Sequence, residues 1–195
     1  MWPVGRFRAW IRLLCGAEAA QLLEFAISLP LLVVFVVGIF DFGDAFNLKQ
    51  KLNTAAREGA RRGSNLPTGD LDNSATPTTV LAVRNVVDQY LIGNRVDDCG
   101  LNGISGAAGS TPLSWVFTTA TSTCPGPMTL TVERGYSFPA LLGSGSQATH
   151  LISTRVSISY PYQWHFNRVI TLLVPSATYA GITQITTNAV VPNMD

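Results

Sequence analysis

The chain has 195 residues, enough for one domain with a sizeable core plus an anchor or tail. A formal charge of +1 lacks the basic surplus of a nucleic-acid binder, which argues against nucleic acid as a partner. A hydrophobic content of 47% against only 13% charged residues is high for a soluble domain, and much of the excess is concentrated between residues 19 and 40.

Residues 1–18 carry Arg6, Arg8 and Arg12 and read as a basic, cytoplasmic N-terminus. From Ala19 to Phe40 the chain offers about 22 residues with few polar interruptions, and about 20 are needed to cross the hydrocarbon core. A cleavable secretion signal has a shorter apolar core, roughly 7–15 residues, followed by small residues at the cleavage point. Here the run ends in "GIFDFGDAF", with Asp41 and Asp44 set among large aromatics, so a retained transmembrane anchor is expected. Lys49, Lys51, Arg57, Arg61 and Arg62 beyond the span dilute the charge asymmetry. The long polar remainder and the cysteine distribution then favour an N-in, C-out orientation.

Two residues in the span are awkward. Glu24 at the bilayer centre costs about 2.5–3.5 kcal/mol, and less near the edge where it sits. Pro30 removes a backbone donor and bends or loosens a helix. Either Glu24 snorkels to the interface and Pro30 is tolerated, or both serve contacts with a partner helix; the residues alone leave the two readings open.

From about Gly43 onward, Phe42, Ala45, Phe46, Lys49, Leu52, Ala56 and Ala60 recur at three- and four-residue intervals, a mostly apolar or small stripe. With no proline until Pro67, and Gly63 as the expected stop, residues 20–62 form one rod of roughly 65 Å. Residues 41–63 are thus the extramembrane continuation of the helix, docked on the domain that follows.

The stretch "EFAISLPLLVVFVVGIFDFGDAFNLKQKLNTAAREGARRG" resembles the N-terminal signature of TadE-like proteins, pseudopilins of the tight-adherence (Tad, or Flp) type IV pilus system. The resemblance rests on Glu24, Phe25 and Ala26, then Leu29 and Pro30, then Gly38, Phe42 and Gly43, and finally the Ala55–Arg61 element. It implies a pilin-like helical spine, and a structural role in pilus assembly or a related secretion apparatus. Glu24, Phe25, Pro30, Gly38, Phe42 and Gly43 are the implied packing and assembly positions. The implied partners are the bilayer, other pilin-like or pseudopilin subunits, and the assembly platform; the implied location is the bacterial inner membrane, with the C-terminal domain periplasmic or in a surface pilus. One feature departs from the family pattern, in which a Gly precedes the peptidase cleavage point and the Glu is the fifth mature residue. The nearest glycine is Gly16, so cleavage between Gly16 and Ala17 makes Gln21 the fifth residue and Glu24 the eighth.

Residues 64–195 form the expected exported domain. After a Ser/Pro/Asp-rich linker, Thr76 and Pro77 open a second amphipathic helix carrying Val80, Leu81, Val83, Val86, Val87, Tyr90 and Leu91 and ending near Gly93. A Gly-rich loop follows. Alternation of β-branched and aromatic residues predicts strands at 113–119, 128–136, 151–162 and 179–191, with a short helix at 166–173. The expected class is α+β: a transmembrane helix continuing as an amphipathic spine, packed on a small antiparallel sheet.

Of three cysteines, Cys15 precedes the span, while Cys99 and Cys124 follow it and are expected to share an oxidising compartment. A bridge between them contributes about 3.5 kcal/mol in the chain-entropy picture, the alternative being two free thiols. No C-x-x-C pair or metal-spaced histidines exist, so no metal or cofactor is expected. His150, His165, Ser144, Ser146, Asp88 and Asp97 carry no nucleophile-elbow motif, and the chain is not read as an enzyme. His165, in "YQWHFN", reads as a packing or interface residue. The alternative to pilus assembly is an adhesin-like binding domain for which the helix is only a tether.

Overall fold

The computed structural model describes residues 17–72, 75–119, 123–140, 149–166 and 182–194. Helix α1 spans Ala17–Ser64 (48 residues) and α2 spans Thr78–Gly93. Five strands follow: β1 Ala107–Ala108, β2 Ser114–Thr118, β3 Thr129–Ala140, β4 Thr149–Gln163 and β5 Ile182–Pro192. They form one antiparallel meander in chain order, β1-β2-β3-β4-β5. The protein is α+β: a long apolar N-terminal helix and a small antiparallel sheet.

Among the described residues, close contacts group 17–43 with His165 and Phe166 in one unit, and those of 44–164 with 182–194 in another. In the first unit α1 runs unbroken through Pro30, and its large apolar side chains are exposed: Leu22 is 70% accessible, Phe35 64% and Ile39 71%. An apolar window of α1 is long enough to cross a membrane, and none of that window is buried.

The second unit has an ordinary core. Leu52, Ala55, Ala56 and Ala60 of α1 meet Val80, Val83, Val87 and Leu91 of α2, and Phe117, Leu130, Val132, Val156 and Ile158 of the sheet, all fully buried. Burial of each Val or Leu contributes roughly 1.5–3 kcal/mol. In β3 and β4 buried Leu130, Val132, Val156 and Ile158 alternate with partly exposed Thr131, Arg155 and Ser157, the period of two that a one-sided sheet requires.

Close approach of α1 depends on its small residues. A Cβ added at Gly59 meets Val87 Cγ2 at 2.7 Å, and one at Gly63 meets Thr154 Cγ2 at 2.7 Å. Gly63 is therefore a packing residue inside the helix, which ends one residue later at Ser64, and not the stop expected from sequence. Pro77 occupies the N-cap of α2 and offers no side-chain acceptor. Asp70, eight residues before Thr78, takes that role: its carboxylate accepts the Thr79 N–H at 2.9 Å and the Thr78 and Thr79 hydroxyls at 3.0 and 2.8 Å.

The two-residue β1 lies in what reads as a Gly-rich loop; it pairs Ala107 with Val116 and Ala108 with Trp115. A register shift between Glu133 and Tyr136 puts a bulge in β3. The expected helix at 166–173 lies outside the described residues except for Phe166, which is helical, and residues 179–181 of the last expected strand also lie outside them.

Candidate functional site

The six signature positions all fall on α1, and their environments differ. Glu24 and Phe25 are exposed, Pro30 is half-buried, and Phe42 is 70% exposed. A Cβ at Gly38 comes within 3.6 Å of the Phe166 ring, whereas around Gly43 there is open space. Glu24 thus stands on the outside of an apolar helix, available to whatever covers it. Gly16 lies outside the described residues, while Ala17 is the first residue of α1.

Asp41 departs from its neighbours on that helix. It is only 3% exposed, because its carboxylate receives the Phe166 backbone N–H at 2.8 Å (Oδ2) and stands 3.4 Å from His165 Nδ1 (Oδ1). This cluster of Gly38, Asp41, His165 and Phe166 sits where the apolar run ends. In the sequence Asp41 reads only as an obstacle to signal cleavage. An acid closing an apolar run, and a histidine flanked by aromatics, are the two signals that point to the pairing.

In the sheet unit, Cys99 and Cys124 form a disulfide with Cα atoms 5.3 Å apart. The Asp97 carboxylate lies within 4.8 Å of both sulfurs, but sulfurs bonded to each other are not thiolate ligands, so this triplet is not a zinc set. The Tyr160 hydroxyl donates to the Asp97 carbonyl at 3.0 Å. Burial, with the nearby Asp97 and Asp98 charges, pushes Tyr160 up to about 12. Burial also raises Asp88, reinforced by Asp98, whose carboxyl is within hydrogen-bonding reach; the Arg84 charge opposes this.

A cavity of about 350 Å³ opens beside the β3 bulge, lined among others by Thr111, Glu133, Tyr136 and Arg155. Arg155 makes a close ion pair with Glu133 and lies 4.1 Å from the centre of the Tyr136 ring. The Thr111 hydroxyl also donates to Glu133 at 2.9 Å. The Arg155 guanidinium, against the opposing effect of burial, holds Glu133 below the usual glutamate range. Nearby, Ser137 Oγ and His150 Nδ1 are 2.9 Å apart on exposed strands. Nucleophilic use of such a pair needs a third group to orient the base, and the described residues supply none.

Residues 19–61 match the family model described as TadE-like protein. The matched segment begins at the start of the apolar run and ends inside the buried half of α1, so it covers both environments of that helix. No curated protein and no solved structure matches the chain.

Proposed function

We propose that this protein, TadE-like over residues 19–61, is a membrane-anchored minor pseudopilin, a structural component in assembly of a Tad/Flp-type pilus or related secretion apparatus. One observation carries the reading: the matched segment includes a continuous stretch of α1 whose large apolar side chains find no cover among the described residues. Water does not tolerate such a surface, so it calls for lipid or for the helices of other subunits. Lateral packing of α1 against pilin-like helices meets that demand. The exposed Glu24 is satisfied in the assembly by a polar group or N-terminal amine of a neighbour, since an unpaired carboxylate in an apolar setting is costly.

In this reading the chain is a single-pass protein of the bacterial inner membrane, with its N-terminus cytoplasmic and residues 64–195 exported. A Cys99–Cys124 bridge suits that compartment. Its partners are the bilayer, other pseudopilins and the assembly platform, and its work is structural, not enzymatic. Cleavage between Gly16 and Ala17 is tested by N-terminal sequencing of the purified protein.

The deciding experiment deletes the protein and measures pilus yield, alongside co-purification of other Tad pseudopilins with the wild-type chain. Loss of pili and specific co-purification are expected; normal pili in the deletion strain overturn the proposal. The cavity beside Arg155 favours a second reading, an adhesin-like domain on a tether. Replacing residues 1–43 with an unrelated anchor separates them, because full function of that chimera supports the tether.

A further inference from the structure

The sheet has two edges, and they are built differently. At one edge stands β1, only two residues long. At the other stands β5, 11 residues long, which pairs with β4 from Ile182–Gln163 to Pro192–Ser153 without a register shift. A sheet edge exposes a row of backbone groups able to pair with another strand, and proteins blunt it with shortness, charge or bulges. Shortness blunts β1. Nothing of the kind blunts β5: "ITQITTNAVVP" is rich in Ile, Val and Thr, holds no charged residue, and has proline only at its last position. The charged Glu133, Arg134 and Arg155 sit instead on β3 and β4, inside the sheet.

The ladder fixes where the backbone groups of β5 point. The Asn193 N–H donates to the Ile152 carbonyl at 3.0 Å, so these two residues form a hydrogen-bonded pair. Stepping back by twos along the unbroken register, Val191, Ala189, Thr187, Ile185 and Thr183 turn their N–H and C=O toward β4. Ile182, Gln184, Thr186, Asn188 and Val190 turn theirs away from it. Pro192 shares the outward phase, where its missing N–H takes nothing from the ladder. Among the described residues, no outward backbone group of those five pairs with another backbone group. Ile182, Gln184, Thr186 and Asn188 are also exposed, whereas Ile185, Ala189 and Val191 pack on the core. The Thr187 side chain, on the core-facing side, reaches Asn53 of α1 at 3.4 Å. That part of α1 therefore lies over the inner face of the sheet and leaves the edge open.

We propose that β5 is a docking edge for a second copy of this chain, whose own β5 pairs with it and joins the two sheets. Strand addition needs a partner edge of comparable length with unspent backbone groups. The β5 of another copy supplies one, and the two-residue β1 does not. A two-fold axis between the copies makes the contact isologous, so it closes at a dimer; pairing β5 with β1 leaves an open edge at each end. Pairing identical strands also brings like side chains together, and a charged strand repels its own copy. With no charge on β5 that opposition is absent, and the outward Thr186 and Asn188 meet only neutral neighbours. The inference concerns the sheet and stands apart from the pilus reading, which rests on residues 19–61.

The test uses the full chain in detergent and follows hydrogen exchange of the β5 amides by NMR over a range of protein concentrations. An open edge shows a period of two, slow at Thr187 and Ala189 and fast at Gln184, Thr186 and Asn188. Pairing of two β5 edges removes that alternation. The comparison is with T186K/N188K, which sets like charges against each other across the dimer and leaves the β4 ladder intact. Both positions are exposed, so the Tm of the variant should match that of wild type. At high concentration the outward amides of wild type should exchange roughly tenfold more slowly than those of the variant. The dimer of the variant should be weaker by roughly tenfold in analytical ultracentrifugation. Alternation that persists in wild type at every concentration overturns the proposal, even where the chain dimerises, because association then belongs to another surface. Protection that appears only with other pseudopilins bound assigns the edge to a different subunit and equally overturns the pairing of two copies.

Discussion

The two halves of α1 solve opposite problems with one backbone. Between Leu22 and Phe46 the large apolar residues point outward and are exposed. Between Leu52 and Gly63 the helix turns Leu, Ala and Gly inward, and its glycines allow Val87 and Thr154 to come close. Side-chain size is thus inverted relative to a soluble core helix, in which the large residues are buried. What the difference teaches is that the solvent of each half can be read from which size class faces the protein. The packed half is stabilised by its own chain; the apolar half finds no such cover among the described residues, and in the proposed reading lipid or another chain supplies it.

The comparison breaks most visibly if one perturbation harms both halves. Removing the disulfide by C99S/C124S should cost about 3.5 kcal/mol for a bridge spanning 25 residues, read as a fall in the Tm of the detergent-solubilised protein. Membrane association should be unchanged, because it belongs to the other half. Conversely, L32R, in the exposed run, should oppose membrane insertion by about 2.5–3.5 kcal/mol. A single Arg does not cancel the summed apolar contribution of the run, so carbonate extraction should release more of L32R than of wild type without emptying the pellet, and equal release of the two would count against the lipid reading of that surface.

Acid sensitivity should also separate the halves. Glu133, held below its ordinary value by Arg155, contributes stability that is present above about pH 4.5, the unfolded range, and lost as pH falls through its lower folded value. E133Q should cost about 1.5–3 kcal/mol at pH 7 through the lost charged hydrogen bonds. Its Tm should also fall less steeply below pH 4.5 than that of wild type; parallel curves would assign the acid sensitivity elsewhere. Next in size is G59L, which should cost about 1–3 kcal/mol by overpacking against Val87 and Val83, measured by denaturant unfolding.

The regular elements are legible in the sequence because their cause is local. Helical spacing marks both helices to within three residues at each end, and alternation marks β2 to β5. The errors have tertiary causes. Gly63 reads as a stop by its lack of a side chain, but that lack serves contact with Thr154, more than 90 residues away. β1 is two residues long, too short for any period to register. Asp70 caps a helix that begins eight residues later, beyond the reach of a capping motif. The Asp41–His165 and Asp88–Asp98 pairings exist only once the chain is folded. The signature residues from Glu24 to Gly43 are legible as a motif, yet the described residues bring them to no common site, and the proposed assembly reading looks for their contacts in other subunits.

The finest discrimination comes from the smallest expected change in stability. Gly43 lies in helix with open space where a Cβ would stand, so G43A meets no steric opposition. Relief of glycine's conformational entropy should make the isolated protein more stable by about 0.5–1 kcal/mol. If Gly43 is an assembly position, the same methyl group intrudes where a neighbouring helix approaches, and pilus yield or co-purification of pseudopilins should fall despite the higher Tm. G59A supplies the contrast, because its Cβ meets Val87 at 2.7 Å within the same chain and its cost should appear in the purified protein. A stabilising change that weakens assembly separates packing within the chain from packing between chains. A G43A variant that assembles normally would leave the glycine without a role in the interface.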